Sequence, residues 1–288
     1  MKNRLVFAAL FLLPACFFLT GFLQSPVGEV LLTAVFGETR GDHLHNGIDL
    51  GRGGQAVFPV REGEIVFYTD RKDHPLIELF GNGNLAVMQH PGGGRSYYYH
   101  LEEGSVEGME RKVVGTNVQI GISGNSGRSF GAHLHLSWTE RDRFLNPLGV
   151  LPPVTDNVAP EITSIIFIVG NREITIPREY KLTGVDDFIL AARAHDQNEQ
   201  TRKLASAGIH KIAFYIDDRM IMEYSFDSID IVNGRTLLNG KLPFERVFRN
   251  GLYLGGKYRN ILGTHLFRVR VWDRNGNTAT REAKVNFR

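Results

Sequence analysis

The stretch Gly41-Asp-His-Leu-His-Asn-Gly-Ile-Asp-Leu50 carries His45 and Asp49 four residues apart. Far along the chain, Gly131-Ala-His-Leu-His135 carries His133 and His135 two apart. Between them lies Tyr97-Tyr-Tyr-His-Leu101, with His100. Imidazole and carboxylate are the ligand types of a zinc site that has no thiolate. Three protein ligands and one water make a catalytic zinc site, whereas a structural site is closed by four. His45, Asp49, His100, His133 and His135 are therefore more groups than a catalytic site requires. Any three of them could bind metal, leaving two to move protons or stabilise an oxyanion. That division of labour suits metal-assisted amide hydrolysis.

The elements around these residues must bring them together. On a strand, His133 and His135 share one face about 7 Å apart and Leu134 points into the core. His45 and Asp49 on an extended strand would lie about 13 Å apart, too far to share an ion. Asn46-Gly47 between them predicts a reversal that closes this gap. Alternating apolar runs predict strands at 30–36, 56–60, 63–68, 85–90, 96–101, 115–121 and 133–139, with a turn at 91–94 and a surface loop at 69–84. By alternation Tyr97 and Tyr99 face away from His100, into the core. His43 reads as a surface or supporting residue, and His90 as a hydrogen-bonded structural histidine.

Residues 41–149 resemble the lysostaphin-type, LytM-like zinc endopeptidases, which cut peptides of bacterial cell walls. The resemblance rests on His45-Asn-Gly-Ile-Asp49, Tyr98-Tyr-His-Leu101 and His133-Leu-His135, in that order. Gly124-Asn-Ser-Gly-Arg-Ser-Phe-Gly131 and Leu145-Asn-Pro147 match the family's flanks. It implies a mainly β fold: an antiparallel β-sheet peptidase domain of duplicated hybrid motif type. It also implies one zinc ion held by His45, Asp49 and His135, with His100 and His133 as the catalytic histidines. The expected function is an exported metalloendopeptidase acting on peptidoglycan peptides. The alternatives are a zinc peptidase acting on a protein, or a non-catalytic cell-wall-binding or regulatory relative. The 71–83 loop is longer than the family's usual one and would reshape its groove.

The rest of the chain fits an exported, two-part protein. It has 288 residues, 42% hydrophobic and 22% charged, with a net charge of +2. This predicts a packed globular protein and gives no signature of nucleic-acid binding. Lys2 and Arg4 precede a strongly apolar run over 5–23, which predicts an export signal or membrane anchor in residues 1–24. The single cysteine, Cys16, lies in this run and is a candidate for lipidation. The expected location is periplasmic or cell-envelope. The peptidase domain is expected at 25–150. Three prolines within 151–160 predict an extended linker crossed by few contacts. Beyond it, runs at 162–169, 189–195, 209–216, 220–226, 266–272 and 279–287 predict an immunoglobulin-like β-sandwich at 161–288. Asn275-Gly276 predicts a hairpin between the last two. The segment 196–199 reads as a solvated loop rather than a cation site.

Overall fold

The computed structural model describes residues 23–73, 81–106, 112–197, 208–259 and 261–288. The expected signal or anchor and Cys16 fall outside the described residues, as do His74 and most of the 71–83 loop. Among the described residues no helix is long and apolar enough to cross a membrane. The protein is mainly β, built from antiparallel sheets.

The first half is organised on four neighbouring antiparallel strands, Gly63–Thr69, Asn84–Gln89, Gly94–Leu101 and His133–Glu140. Their period-two pattern gives the sheet two different faces. Ile65, Met88 and Trp138 line up on one face, and Ala86, Tyr98 and Leu136 beside them, all buried in the core. The other face carries Phe67, Val87, Tyr97 and Ser137 in one row, and Tyr99 and His135 in the next. The turn between Asn84–Gln89 and Gly94–Leu101 needs its glycines: Gly92 and Gly93 sit at φ 91° and 102°. Ile48–Gly51 joins the far edge of His133–Glu140, pairing Asp49 with His135 and Gly51 with His133. Leu31–Ala34 then pairs with Ile48–Gly51.

One predicted strand, 115–121, is replaced by two short ones, Val113–Val114 and Gly121–Ile122. A turn closed by Val118 N–H to the Gly115 carbonyl (3.2 Å) interrupts the run. The remaining predicted runs each contain a strand, trimmed or extended at the ends.

The second half contains two five-stranded sheets. They face each other across stacked aromatics: Phe167 and Phe188 from one meet Phe267 and Phe287 from the other, with Phe167 and Phe267 rings 4.9 Å apart. Gly263–Trp272 and Thr278–Phe287 form the expected hairpin, with Gly276 at φ 91°.

The expectation of few contacts across the linker is overturned. Arg143–Leu145, at the edge of the first sheet, pairs with Ser228–Val232, in register Arg143 to Asp230 and Leu145 to Ser228. Arg235–Leu238 and Leu242–Pro243 continue the same sheet outward. The junction is polar as well as apolar. Arg143 Nε reaches Asp230 Oδ1 at 2.8 Å, and its Nη2 donates to Ser228 Oγ at 2.8 Å. Residues 152–160 carry no helix or strand and are tied to the last hairpin by Asn275 and Asn277 side-chain donors to the Val154 and Asp156 carbonyls.

Asp196 is not on a solvated loop. It is buried, 6% exposed, beside Asp156 and Asp273. Burial, aided by these two carboxylates, pushes its carboxyl up to about 7 from 3.8. The folded chain thus holds this proton more tightly than the unfolded chain. The contribution of this group to stability is fully present below about pH 4 and is lost as pH rises through about 7. In EDTA, the melting-temperature advantage of Asp196→Asn over wild type should therefore grow from pH 4 to pH 8. An advantage that does not change with pH would contradict this origin.

Candidate metal centre

Three sequence-distant side chains meet at one point. His45 Nε2 lies 3.1 Å from Asp49 Oδ1 and 3.0 Å from His135 Nδ1, and His135 Nδ1 lies 2.9 Å from Asp49 Oδ1. The second atom of each group is already engaged. His45 Nδ1 donates to the Val35 carbonyl at 2.8 Å, which leaves Nε2 as a lone pair. His135 Nε2 donates to Ser137 Oγ at 2.9 Å, which leaves Nδ1 as a lone pair. Asp49 Oδ2 accepts from Arg40 Nη2 at 2.8 Å, which turns Oδ1 inward. Partners of this kind fix the tautomer and orientation of metal-binding groups. Three lone pairs pointed at one another, with no proton between them, repel unless a cation sits among them. Donor spacings of 2.9–3.1 Å are slightly below the about 3.4 Å edge of a tetrahedron with 2.1 Å bonds. The donor set therefore fits a tetrahedral cation after small outward movements.

The local fold explains this convergence. In place of the reversal expected at Asn46-Gly47 there is a bend at Gly47, after which Asp49 enters its strand just beyond His45. A side chain at Gly47 would collide with the His135 ring and the Leu136 carbonyl. Only glycine lets the chain pass that closely. Burial raises the Asp49 carboxyl, but the surrounding His133, His135 and His45 imidazoles, when protonated, outweigh it and hold the group well below the usual carboxylate range. Burial lowers His135 to about 4, so its ring is neutral at pH 7.

His100 and His133 lie beside the triangle, with ring centroids 5.0 Å apart. His133 Nδ1 donates to the Gly131 carbonyl at 2.7 Å, and its Nε2 lies 3.5 Å from Asp49 Oδ1. Burial pushes His133 down, and the Asp49 carboxylate more than reverses this, so its net shift is upward. His100 Nδ1 donates to the Ser126 carbonyl at 2.9 Å, and burial lowers its pKa.

Tyr99 packs in a buried cluster with Leu85, Val87 and Tyr97, as expected. Its ring lies 5.1 Å from His135, on the face of the histidines, and stacks on Tyr97 at 6.0 Å. The alternation breaks at His100, whose φ of 61° turns its ring onto the same face as its neighbour. His43 is a surface residue paired with Asp42, and His90 is structural, bonded to the Glu62 carbonyl and Ser96 Oγ. Sequence reasoning missed Arg40 and Ser137, which orient Asp49 and His135. A donor two residues from His135 on the same face was a readable signal for Ser137. Nothing local marked Arg40. Phe130 was also missed; it stands fully exposed on the loop leading to His133.

The model of Peptidase family M23 matches residues 43–147, which include all five of these groups. Residues 43–147 belong to peptidase family M23. A second family model matches residues 159–288. Over 131 residues the chain is 30% identical to peptidoglycan DD-endopeptidase ShyA of Vibrio cholerae, covering 45% of this chain and 28% of that protein. Over 126 residues it is 33% identical to the DD-carboxypeptidase/endopeptidase Mpg of Neisseria meningitidis, covering 42% and 24%. The chain thus spans about a quarter of the length of these relatives. A zinc-containing peptidase from Vibrio cholerae, solved by crystallography, aligns with a TM-score of 0.39 at 24% identity, covering 46% of this chain and 41% of that one.

Proposed function

We propose that this chain is an exported zinc metalloendopeptidase that hydrolyses peptide cross-links of peptidoglycan in the periplasm or cell envelope. The observation that carries the reading is the convergence of His45 Nε2, Asp49 Oδ1 and His135 Nδ1, each held by a partner on its other atom. These three would hold one zinc ion. When bound, zinc would lower the pKa of a water ligand from about 16 to about 7 and so supply hydroxide at neutral pH.

The chain's own residues do the rest. His133, fixed by the Gly131 carbonyl, presents Nε2 beside Asp49 and takes up a proton as general base. His100, fixed by the Ser126 carbonyl and neutral through burial, presents its free nitrogen to the same space. There it stabilises the developing oxyanion or passes a proton to the leaving amine. The half-buried Tyr97 ring, stacked on Tyr99 beside His135, gives an extended peptide an apolar surface to lie on.

The substrate class is supported by the names of the two relatives, one a peptidoglycan DD-endopeptidase and the other a DD-carboxypeptidase/endopeptidase. The proposed division is a peptidase unit at 25–150, a linker at 151–160 and an immunoglobulin-like sandwich at 161–288. Two facing sheets without a disulfide support the last. Purified cross-linked muropeptides, assayed beside a Gly-rich peptide, test the function. Zinc-loaded protein should cut the cross-links, lose activity in chelator and regain it with zinc. Intact muropeptides after incubation with zinc-loaded, folded protein would overturn the assignment.

A further inference from the structure

His45 and Arg40 both sit on a small hairpin, residues 35–45. It is closed on itself: Gly37 N–H donates to the His45 carbonyl, His45 N–H to the Glu38 carbonyl, and Arg40 N–H to the His43 carbonyl, each at 2.8 Å. One side of the hairpin serves the site, through His45 Nε2 and the Arg40 guanidinium. Its other side rests on residues from beyond the linker.

Three contacts make that support. Gly37, at φ 79°, lies so close to Phe226 that a Cβ there would stand 2.5 Å from the Phe226 Cβ. Gly208 and Glu38 are equally tight, since a Cβ on Gly208 would meet the Glu38 Cα at 2.8 Å. The Tyr253 hydroxyl faces the Thr39 side chain and the Ile209 backbone. Phe226 and Tyr253 are themselves buried and meet edge to face, with centroids 6.0 Å apart. They form an aromatic platform under the turn. A short two-stranded hairpin is marginal alone in water, so what it rests on sets its position. Phe36 and Leu44 anchor its base in the core, which leaves the tip, with Thr39 and Arg40, dependent on the platform.

We propose that the C-terminal sandwich is a working part of the metal centre: Phe226 and Tyr253 are positioning residues that hold the 35–45 hairpin where His45 and Arg40 meet Asp49. This rests on the metal reading given above. It gives the sandwich a role apart from any hold on the cell wall, because affinity for the ion depends on residues about 180 to 210 positions downstream of His45. A site left without its platform keeps Asp49 and His135, which are fixed by the sheet, and loses the alignment of the third donor.

The test uses the full chain. Zinc affinity is read by competition with a chromogenic chelator, and the visible spectrum of the cobalt-substituted protein reports ligand geometry. Tyr253→Phe removes only the hydroxyl, and Phe226→Leu lowers the platform. Phe188→Leu truncates the sandwich core within the Phe167 stack, away from the hairpin contacts, and controls for general loss of stability. Zinc affinity should fall about threefold or more in Tyr253→Phe and about tenfold or more in Phe226→Leu, with altered cobalt spectra, while Phe188→Leu matches wild type. Wild-type affinity and spectrum in folded Tyr253→Phe overturn the proposal. So does an equal loss in Phe188→Leu, which would trace the effect to stability. Absence of zinc from the wild-type chain is a separate result, and it overturns the metal reading together with this one.

Discussion

Asp49→Ala should abolish zinc binding and hydrolysis together. Asp49 Oδ1 is the donor that both His45 and His135 approach, at 3.1 and 2.9 Å, and Oδ2 receives Arg40 at 2.8 Å. Removing the carboxylate deletes a ligand and the only negative charge at the centre of the triangle. It also leaves the Arg40 guanidinium facing the place a dication would occupy, with its charge uncompensated. Loss of a residue that merely orients a ligand weakens metal binding by about 10- to 100-fold, so loss of this ligand should exceed about 100-fold. The backbone pairing of Asp49 with His135 does not use the carboxylate, so the sheet should survive. Metal analysis after dialysis decides the matter: full zinc occupancy in folded Asp49→Ala would sink the assignment.

The second large effect separates holding metal from using it. His100→Ala and His133→Ala should keep zinc and lose turnover by about 100-fold or more each, as expected for a general base or an oxyanion donor. His133 is the sharper case. It shares a strand face with His135, so sequence spacing alone cannot tell which of the two binds metal. Geometry separates them: His133 Nε2 stands 3.5 Å from Asp49 Oδ1, outside the 2.9–3.1 Å triangle. If either variant loses zinc as readily as His45→Ala, that residue belongs among the ligands.

The site was largely legible because its logic is short-range. A period of two put His133 and His135 on one face, and Asn46-Gly47 marked the change of direction between His45 and Asp49, which the chain makes as a bend. His100 was legible as a residue but not in its direction. One left-handed φ at that position, where the 124–127 loop bonds to it, turns its ring onto the face that Tyr99 and His135 share by alternation. No alternation rule anticipates a single residue in that region of backbone space. The second half shows a different failure. Asn233-Gly234, Asn239-Gly240 and Asn250-Gly251 all adopt positive φ at both residues, and each turns the chain between strands absent from the sequence reading. These three turns carry the same Asn-Gly hairpin signal as Asn275-Gly276. What local sequence could not supply was the partner. Nothing near Ser228 marks Leu145 as its neighbour, because register between distant edges is decided by packing.

The shared sheet also imposes a schedule. Arg143 waits for Ser228, 85 positions later, before its edge is covered. At typical synthesis rates of about 5 to 20 residues per second, that gap lasts roughly 4 to 17 seconds. Whether the chain leaves a ribosome or a translocation channel, its earlier strands emerge first, with an open edge that invites pairing with another copy. A nascent chain stalled before residue 228 would therefore be prone to aggregate rather than to wait as an active fragment. Completion of the catalytic half is timed by the arrival of the half that follows it.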